Sequence, residues 1–279
     1  MNPDCLLKLF EQISEPPDAV PRLRRFILDL AVRGKLVEQD PKDEPASELL
    51  SHMQREKQRI LAGGRTQNQD LSPIEKRETP VVIPTNWTWV RLGEVIKLWN
   101  GFAFKSSDYK QQGVPVIRIG DLQNGQVVLD SVVFVDDDVA ASVDESVWVP
   151  ENALLIAMSG ATTGKVAFNR TGKKLLLNQR VGRVQVFSVH HDFLRFFFET
   201  IVQQNLSISF GTAIPNLSTK QIYETAFPLP PLAEQHRIVA KVDELMALCN
   251  ELETQLTTTA ATRHQLLEAT LQESLEGGM

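Results

Sequence analysis

Hydrophobic positions change period twice along this chain of 279 residues. The first sixty residues carry apolar side chains at helical spacing. Asp4 to Ser14 places Leu6, Leu7, Phe10 and Ile13 on one face, and Pro16-Pro17 ends that run. A second helix is predicted from about Pro21, with Leu23, Phe26, Ile27, Leu30 and Ala31, stopping at Gly34. A third, Ser47 to Ala62, sets Leu49, Leu50, Met53, Ile60 and Leu61 under a charged outer face and closes at Gly63-Gly64. The polar stretch GGRTQNQDLSPIEKRETP that follows predicts a linker or exposed arm. From Ile83 the pattern shortens to β-branched runs, Pro115–Ile119, Val127–Val135, Leu154–Met158, Lys165–Phe168 and Val181–Phe187. Turn residues at Gly113, Asn124-Gly125, Gly160, Gly164 and Thr171-Gly172 separate them. A helix is expected at Phe193 to Asn205.

The third regime begins at Pro228-Leu229-Pro230-Pro231 and continues to Gly277 without another Pro or Gly. Proline is tolerated at a helix start, so one helix is predicted from Leu232 or Ala233, roughly 65 Å long if continuous to Leu275. Ile238, Val242, Leu245, Cys249, Leu252 and Leu256 alternate at four and three, a heptad seam of about three repeats. The seam weakens at Thr257-Thr258-Thr259 and resumes with Leu266, Leu267, Leu271 and Leu275. A lone helix of this kind exposes its seam, which calls for a partner helix. The expected class is α+β: an N-terminal helical segment with linker (1–80), a mixed α/β domain (81–227) and a long coiled-coil helix (228–279).

Composition adds little until it is localised. A hydrophobic share of 42% and a charged share of 23% are ordinary for a soluble protein. No apolar run reaches membrane-span length, and the N-terminus lacks the order of a signal peptide. Cys5 and Cys249 belong to no metal-type spacing, so a reducing cytoplasm fits. The net charge is −6, yet Asn152 to His191 carries Lys165, Arg170, Lys173, Lys174, Arg180 and Arg183 with no carboxylate. Folded onto one face, that block would attract an anion.

Candidate catalytic patterns fail one by one. Met158 to Lys165 resembles a P-loop, but only Ala161-Thr162-Thr163 separates its glycines, and Val166 stands where a magnesium-binding hydroxyl is required. The five histidines show no ligand spacing, and no metal or other cofactor is expected. Asp40-Pro41-Lys42-Asp43-Glu44 falls in a connector between helices rather than on strands. What remains are phrases suited to contact with a polymer. Asn100 to Tyr109 interleaves aromatics with Lys105 and hydroxyls. Arg118 sits between apolar neighbours. Leu177 to Arg183 gathers Asn178, Gln179, Arg180 and Arg183, side chains whose geometry suits base edges.

In order and spacing, the phrases GFAFKSSDY (101–109), GVPVIRIGDLQNG (113–125), LLIAMSGATTGKVA (154–167), LNQRVGRV (177–184), GTAIPNLSTKQI (211–222) and FPLPPLAEQHRIVAKVDELMALCNELE (227–253) resemble the specificity subunits of type I restriction–modification systems. FILDLAVRGKLV (26–37) resembles their lead-in. The resemblance implies a non-catalytic subunit: a target-recognition domain that reads double-stranded DNA, then a long helix that spaces it from a second such domain. It implies partnership with an adenine methyltransferase subunit and, through it, with a restriction subunit. Full-length members carry two recognition domains and two long helices, whereas this sequence has one of each. It is either a piece of a longer subunit or a half-subunit whose homodimer reads a bipartite site, and the unpaired seam favours the second. Charge and side-chain type select Lys105, Lys165, Arg170, Lys173, Lys174, Asn178, Gln179, Arg180 and Arg183 for DNA contact. Ile238, Val242, Leu245, Cys249, Leu252 and Leu256 are selected for dimerisation. The competing expectation is a coiled-coil assembly or decoy module that binds the methyltransferase without reading DNA.

Overall fold

The computed structural model describes residues 18–61, 71–79, 81–160, 163–208 and 217–276. The helix expected at Asp4 to Ser14 and the Gly63-Gly64 stop lie outside them. In chain order the elements are α1 (Ala19–Val32), α2 (Ala46–Leu61), β1 (Thr88–Arg91), α3 (Leu92–Val95), β2 (Ile96–Asn100), β3 (Val114–Ile117), β4 (Leu122–Gln123), β5 (Gln126–Val127), β6 (Val133–Val135) and α4 (Asp137–Ala141). There follow β7 (Trp148–Val149), β8 (Leu154–Ala157), β9 (Val166–Phe168), β10 (Leu175–Leu177), β11 (Val181–Val186), α5 (His191–Ile208), α6 (Thr219–Tyr223), β12 (Ala226–Leu229) and α7 (Leu232–Glu276). Helix and strand mix as the α+β reading expects. The run expected as one strand over 127–135 is split, because residues 128–132 turn the chain between β5 and β6.

The chain divides into two compact units, residues 1–30 with 240–279 and residues 31–239. In the first, α1 runs beside α7. Arg24 Nη2 donates to Glu253 Oε2 at 2.6 Å and to Asn250 Oδ1 at 2.8 Å. Val20, Ile27 and Leu28 of α1 are buried, as are Val242 and Cys249 of α7. The early part of the heptad seam is therefore covered within the same chain. Further along, Leu252 is exposed and Leu256 half-buried, with Leu248 and Leu266 open to solvent.

The second unit holds two sheets that enclose its core. A four-stranded sheet runs β6-β3-β10-β7 and a six-stranded sheet runs β2-β11-β8-β9-β5-β4. Both mix directions: β3 and β10 are parallel, as are β5 and β9, and the other neighbours antiparallel. Val116, Ile117, Leu155, Ala157, Leu175, Leu176, Leu177 and Val181 belong to the buried cluster. An aromatic cluster supports the other side, with Phe193 edge-on to Trp87 (centroids 6.0 Å apart) and Phe227 packed on Phe193 (5.8 Å) and Phe197 (4.8 Å).

A two-stranded antiparallel ribbon, β1 with β12, joins the entry of this unit to the start of the long helix. Pro228 lies opposite Trp89 in this register. Proline is acceptable there because each strand has a single partner and one side needs no N–H. The phrase LAEQH then acquires a structural reason. Glu234 and Gln235 are both fully buried. Glu234 accepts from Gln39 Nε2 at 2.6 Å, while Gln235 accepts from His190 N at 2.8 Å and donates to Pro230 O at 3.0 Å. Arg237 pairs with Asp43 at 2.6 Å. Burial pushes the Glu234 carboxyl up from its ordinary value. These bonds hold the first two turns of α7 within the second unit.

Candidate nucleic-acid interface

Antiparallel β8 and β9 give the large sheet two ends. At one end lie the loops after β2 (101–109) and β3 (118–121), residues 158–160 and 163–165 between β8 and β9, and the β10–β11 turn (178–180). Backbone bonds tie them together. Phe102 N donates to Leu177 O (2.8 Å), Gln179 N to Phe102 O (2.9 Å), Asn178 N to Ile117 O (3.0 Å) and Met158 N to Arg180 O (2.9 Å). Gly101 makes this possible, since a Cβ there would stand 2.2 Å from Asn178 O and 2.4 Å from Asn178 C. Gly101→Ala is expected to cost about 1–3 kcal/mol by overpacking. A lowered melting midpoint with weakened duplex binding would express it; an unchanged midpoint would mean the two loops are not rigidly joined.

These loops surround an open cleft of about 500 Å³ lined by Ser106, Tyr109, Arg118, Asp121, Gln179 and Arg180, among others. Gln179 and Arg180 are exposed, as are Lys105 and Lys165 on the flanking loops. Arg118 donates through Nη2 to Ser131 O at 3.1 Å, and its buried Nε meets no acceptor among the described residues. Asp121 is buried at the cleft floor and accepts the backbone N–H of Arg118 at 2.8 Å. Burial pushes its carboxyl up, against the backbone hydrogen bond and the charge of Arg118. The Arg118 guanidinium is therefore presented to the cleft. Of its sequence neighbours, Ile117 is buried and Ile119 half-buried.

Asn178, by contrast, is 8% exposed and already engaged. Its Nδ2 donates to Tyr109 Oη at 3.2 Å and its Oδ1 accepts from Arg180 N at 3.2 Å. It shapes the loop and has no free edge for a base. The basic block is also divided. Arg170, Lys173 and Lys174 occupy the β9–β10 turn at the opposite end of the sheet, and Arg183 lies in mid-strand. Only Lys105, Lys165, Asn178, Gln179 and Arg180 belong to the loop cluster. The glycine-rich phrase resembling a P-loop is a strand-to-strand turn: Gly164 N donates to Ala157 O at 2.7 Å and Ala157 N to Lys165 O at 2.8 Å. A P-loop instead leads from strand to helix. Among the described residues no cluster of three or more metal-ligating side chains occurs, and no helix is long and apolar enough to cross a membrane.

A platform of two sheets presenting cationic and amide side chains on tied loops is suited to reading DNA. Residues 84–260 match the family profile described as the type I restriction modification DNA specificity domain. The chain belongs to that family. The EcoAI specificity subunit of Escherichia coli is 35% identical over 269 residues, covering 93% of this chain and 45% of that protein. The EcoEI specificity subunit of the same species is 30% identical over 270 residues, covering 90% and 43%. The HsdS subunit of Thermoanaerobacter tengcongensis shares the fold at a TM-score of 0.52 and 20% identity, covering 93% of this chain and 57% of its own. A chain from a structure of type I R-M complex assembly and conformational transition aligns at a TM-score of 0.55 and 21% identity, covering 97% and 56%. This specificity-family chain thus spans less than half the length of the two curated relatives.

Proposed function

We propose that this chain is the non-catalytic DNA-reading component of a type I restriction–modification assembly. The cleft at the loop end of its sheets is the reading surface. The observation that carries this is the cluster of four tied loops, which sets Arg118, Gln179 and Arg180 around one opening with Lys105 and Lys165 beside it. Lys105 and Lys165 are suited to phosphates, which position the duplex. Arg118, Arg180 and Gln179 are suited to guanine and adenine edges in the major groove. The relatives are named as subunits of type I restriction enzymes. By that kinship the partners are an adenine methyltransferase subunit and, through it, a restriction subunit, in the cytoplasm.

The same reading includes a homodimer on a bipartite target. Beyond Cys249 the seam continues through Leu252 and Leu256, and further along α7 Leu267 and Leu271 are half-buried. A second copy supplies the complementary stripe about a two-fold axis, and two inverted half-sites follow. With 45 residues, α7 is roughly 68 Å long and sets their separation. The mass of the chain with its methyltransferase, measured with and without duplex selected from a random pool, tests both claims. Two copies per complex and an enriched target with inverted halves are expected. Leu252→Asp with Leu256→Asp should reduce the complex to one copy. A wild-type monomer at micromolar concentration removes the dimer; failure to enrich any target removes DNA reading.

A further inference from the structure

Away from the recognition loops, β2 is the outer strand of the six-stranded sheet and β7 the outer strand of the four-stranded one. A cavity of about 700 Å³ opens beside them, with Trp99, Trp148, Lys174 and Arg183 in its wall. The register sets Arg183 opposite Trp99 and Gln185 opposite Lys97, so these four side chains share one sheet face. Trp99 is held in place: its indole N–H donates to Gln185 Oε1 at 3.1 Å, Lys97 Nζ lies 3.5 Å from the ring centroid and Arg183 Cζ 5.4 Å from it.

Arg183 is poorly satisfied. Among the described residues its Nη2 donates to Ser146 O at 3.4 Å, and its buried Nε meets no acceptor. On β8 its register partner is Leu155, which is fully buried. Burial pushes the guanidinium below its ordinary value, and the Lys97 amine is lowered by burial and by the charge of Arg183. Among the described residues no carboxylate forms an ion pair with Arg183. A half-buried guanidinium without a counter-ion, beside two indoles, is an unfilled requirement for an anion that also carries a flat ring.

We propose that this cavity binds one nucleotide unit, with its phosphate on Arg183 and Lys174 and its base stacked on Trp148. The volume lies within the range of small-molecule sites, about 300–1,000 Å³. Exposed Asp144 and Glu145 line the same cavity and disfavour a polyphosphate. The fitting ligand therefore carries a single phosphate. Such a unit comes from a free nucleoside monophosphate or from an unstacked nucleotide of a DNA strand.

Equilibrium dialysis of the full chain against labelled dAMP, ATP and a short unpaired DNA strand tests this, with tryptophan fluorescence as a second readout. Saturable binding of dAMP or the strand below about a millimolar is expected, with ATP weaker. Arg183→Met keeps the stem over Trp99 and removes the charge. It and Trp148→Leu should each weaken binding by about tenfold or more. If Arg183→Met does not fold by thermal melting, Trp148→Leu alone decides. Binding of the strand without dAMP assigns the site to an unstacked nucleotide, and binding of both adds the free form. Absence of binding by both, or binding unchanged in every folded variant, overturns the proposal. Duplex retardation by Trp148→Leu should equal wild type, so this site fails or stands separately from the reading cleft.

Discussion

Arg91→Ala should be the most destabilising single change outside the hydrophobic cores. Arg91 is 4% exposed and binds five acceptors. Two are the oxygens of Glu78 (2.7 and 2.8 Å), two are the carbonyls of Ser72 (2.9 Å) and Pro73 (2.8 Å), and the fifth is the carbonyl of Glu224. This one guanidinium therefore joins the segment before β1 to the end of α6. Alanine leaves those acceptors unpaired, at about 3–5 kcal/mol. With about 2–4 °C lost per kcal/mol in a unit of this size, the melting midpoint should fall by roughly 10 °C. Arg91→Lys should recover little, because an ammonium cannot reproduce the fork. The hydrogen bond from Arg91 draws the Glu78 carboxyl down to about 2 from an ordinary 4.5. A depressed carboxyl stabilises the fold fully above its unfolded value, and that contribution is lost as pH falls toward 2. The difference between wild type and Arg91→Ala should therefore narrow in melts taken from pH 5 down to pH 2. A constant difference across that range would remove the Glu78 contribution.

For DNA, the largest expected effect belongs to Arg118→Ala combined with Arg180→Ala. Each bidentate contact to guanine carries about 1–3 kcal/mol, so the pair should lower affinity for the selected target by about 30-fold or more while relaxing sequence choice at two positions. Lys105→Ala or Lys165→Ala should instead weaken binding to all duplexes alike and reduce the dependence on salt by about one counter-ion. Binding measured on the selected target and on scrambled duplex at two salt concentrations separates the two classes. A double arginine variant that weakens both duplexes equally would show that neither arginine reads a base.

Much of the candidate site was legible as residue types but not as an arrangement. Gln179 and Arg180 follow a strand end, where a side chain is free to leave the sheet, so their exposure follows from local pattern. Asn178 belongs to the same phrase and does the opposite. Its side chain is consumed by Tyr109, which is 69 residues away in sequence. Arg118 falls at the end of the Pro115–Ile119 run, where local pattern does not say which way its side chain turns; in the fold Asp121 takes its backbone N–H, and the guanidinium lines the cleft. The acid-free block is continuous in sequence, but β9 and β10 separate Lys165 and Arg180 at one end from Arg170, Lys173 and Lys174 at the other.

By itself the sequence determined those features whose causes are local. A run from Leu232 to Glu276 without Pro or Gly has no reason to break, and it is one helix. Short β-branched runs between glycines became strands, and the FLRFFF phrase became the buried face of α5. Non-local pairing decided the rest. Paired residues of parallel β3 and β10 stand 60 apart in sequence, Leu176 opposite Val116, and bring the 101–109, 118–121 and 178–180 loops together. The seam of α7 is periodic along its length, but whether a given side chain on it is covered depends on what the rest of the fold lays against it. Val242 and Cys249 are buried against their own chain, and Leu252 is not. Periodicity states that a face must be covered; only the tertiary fold states by what.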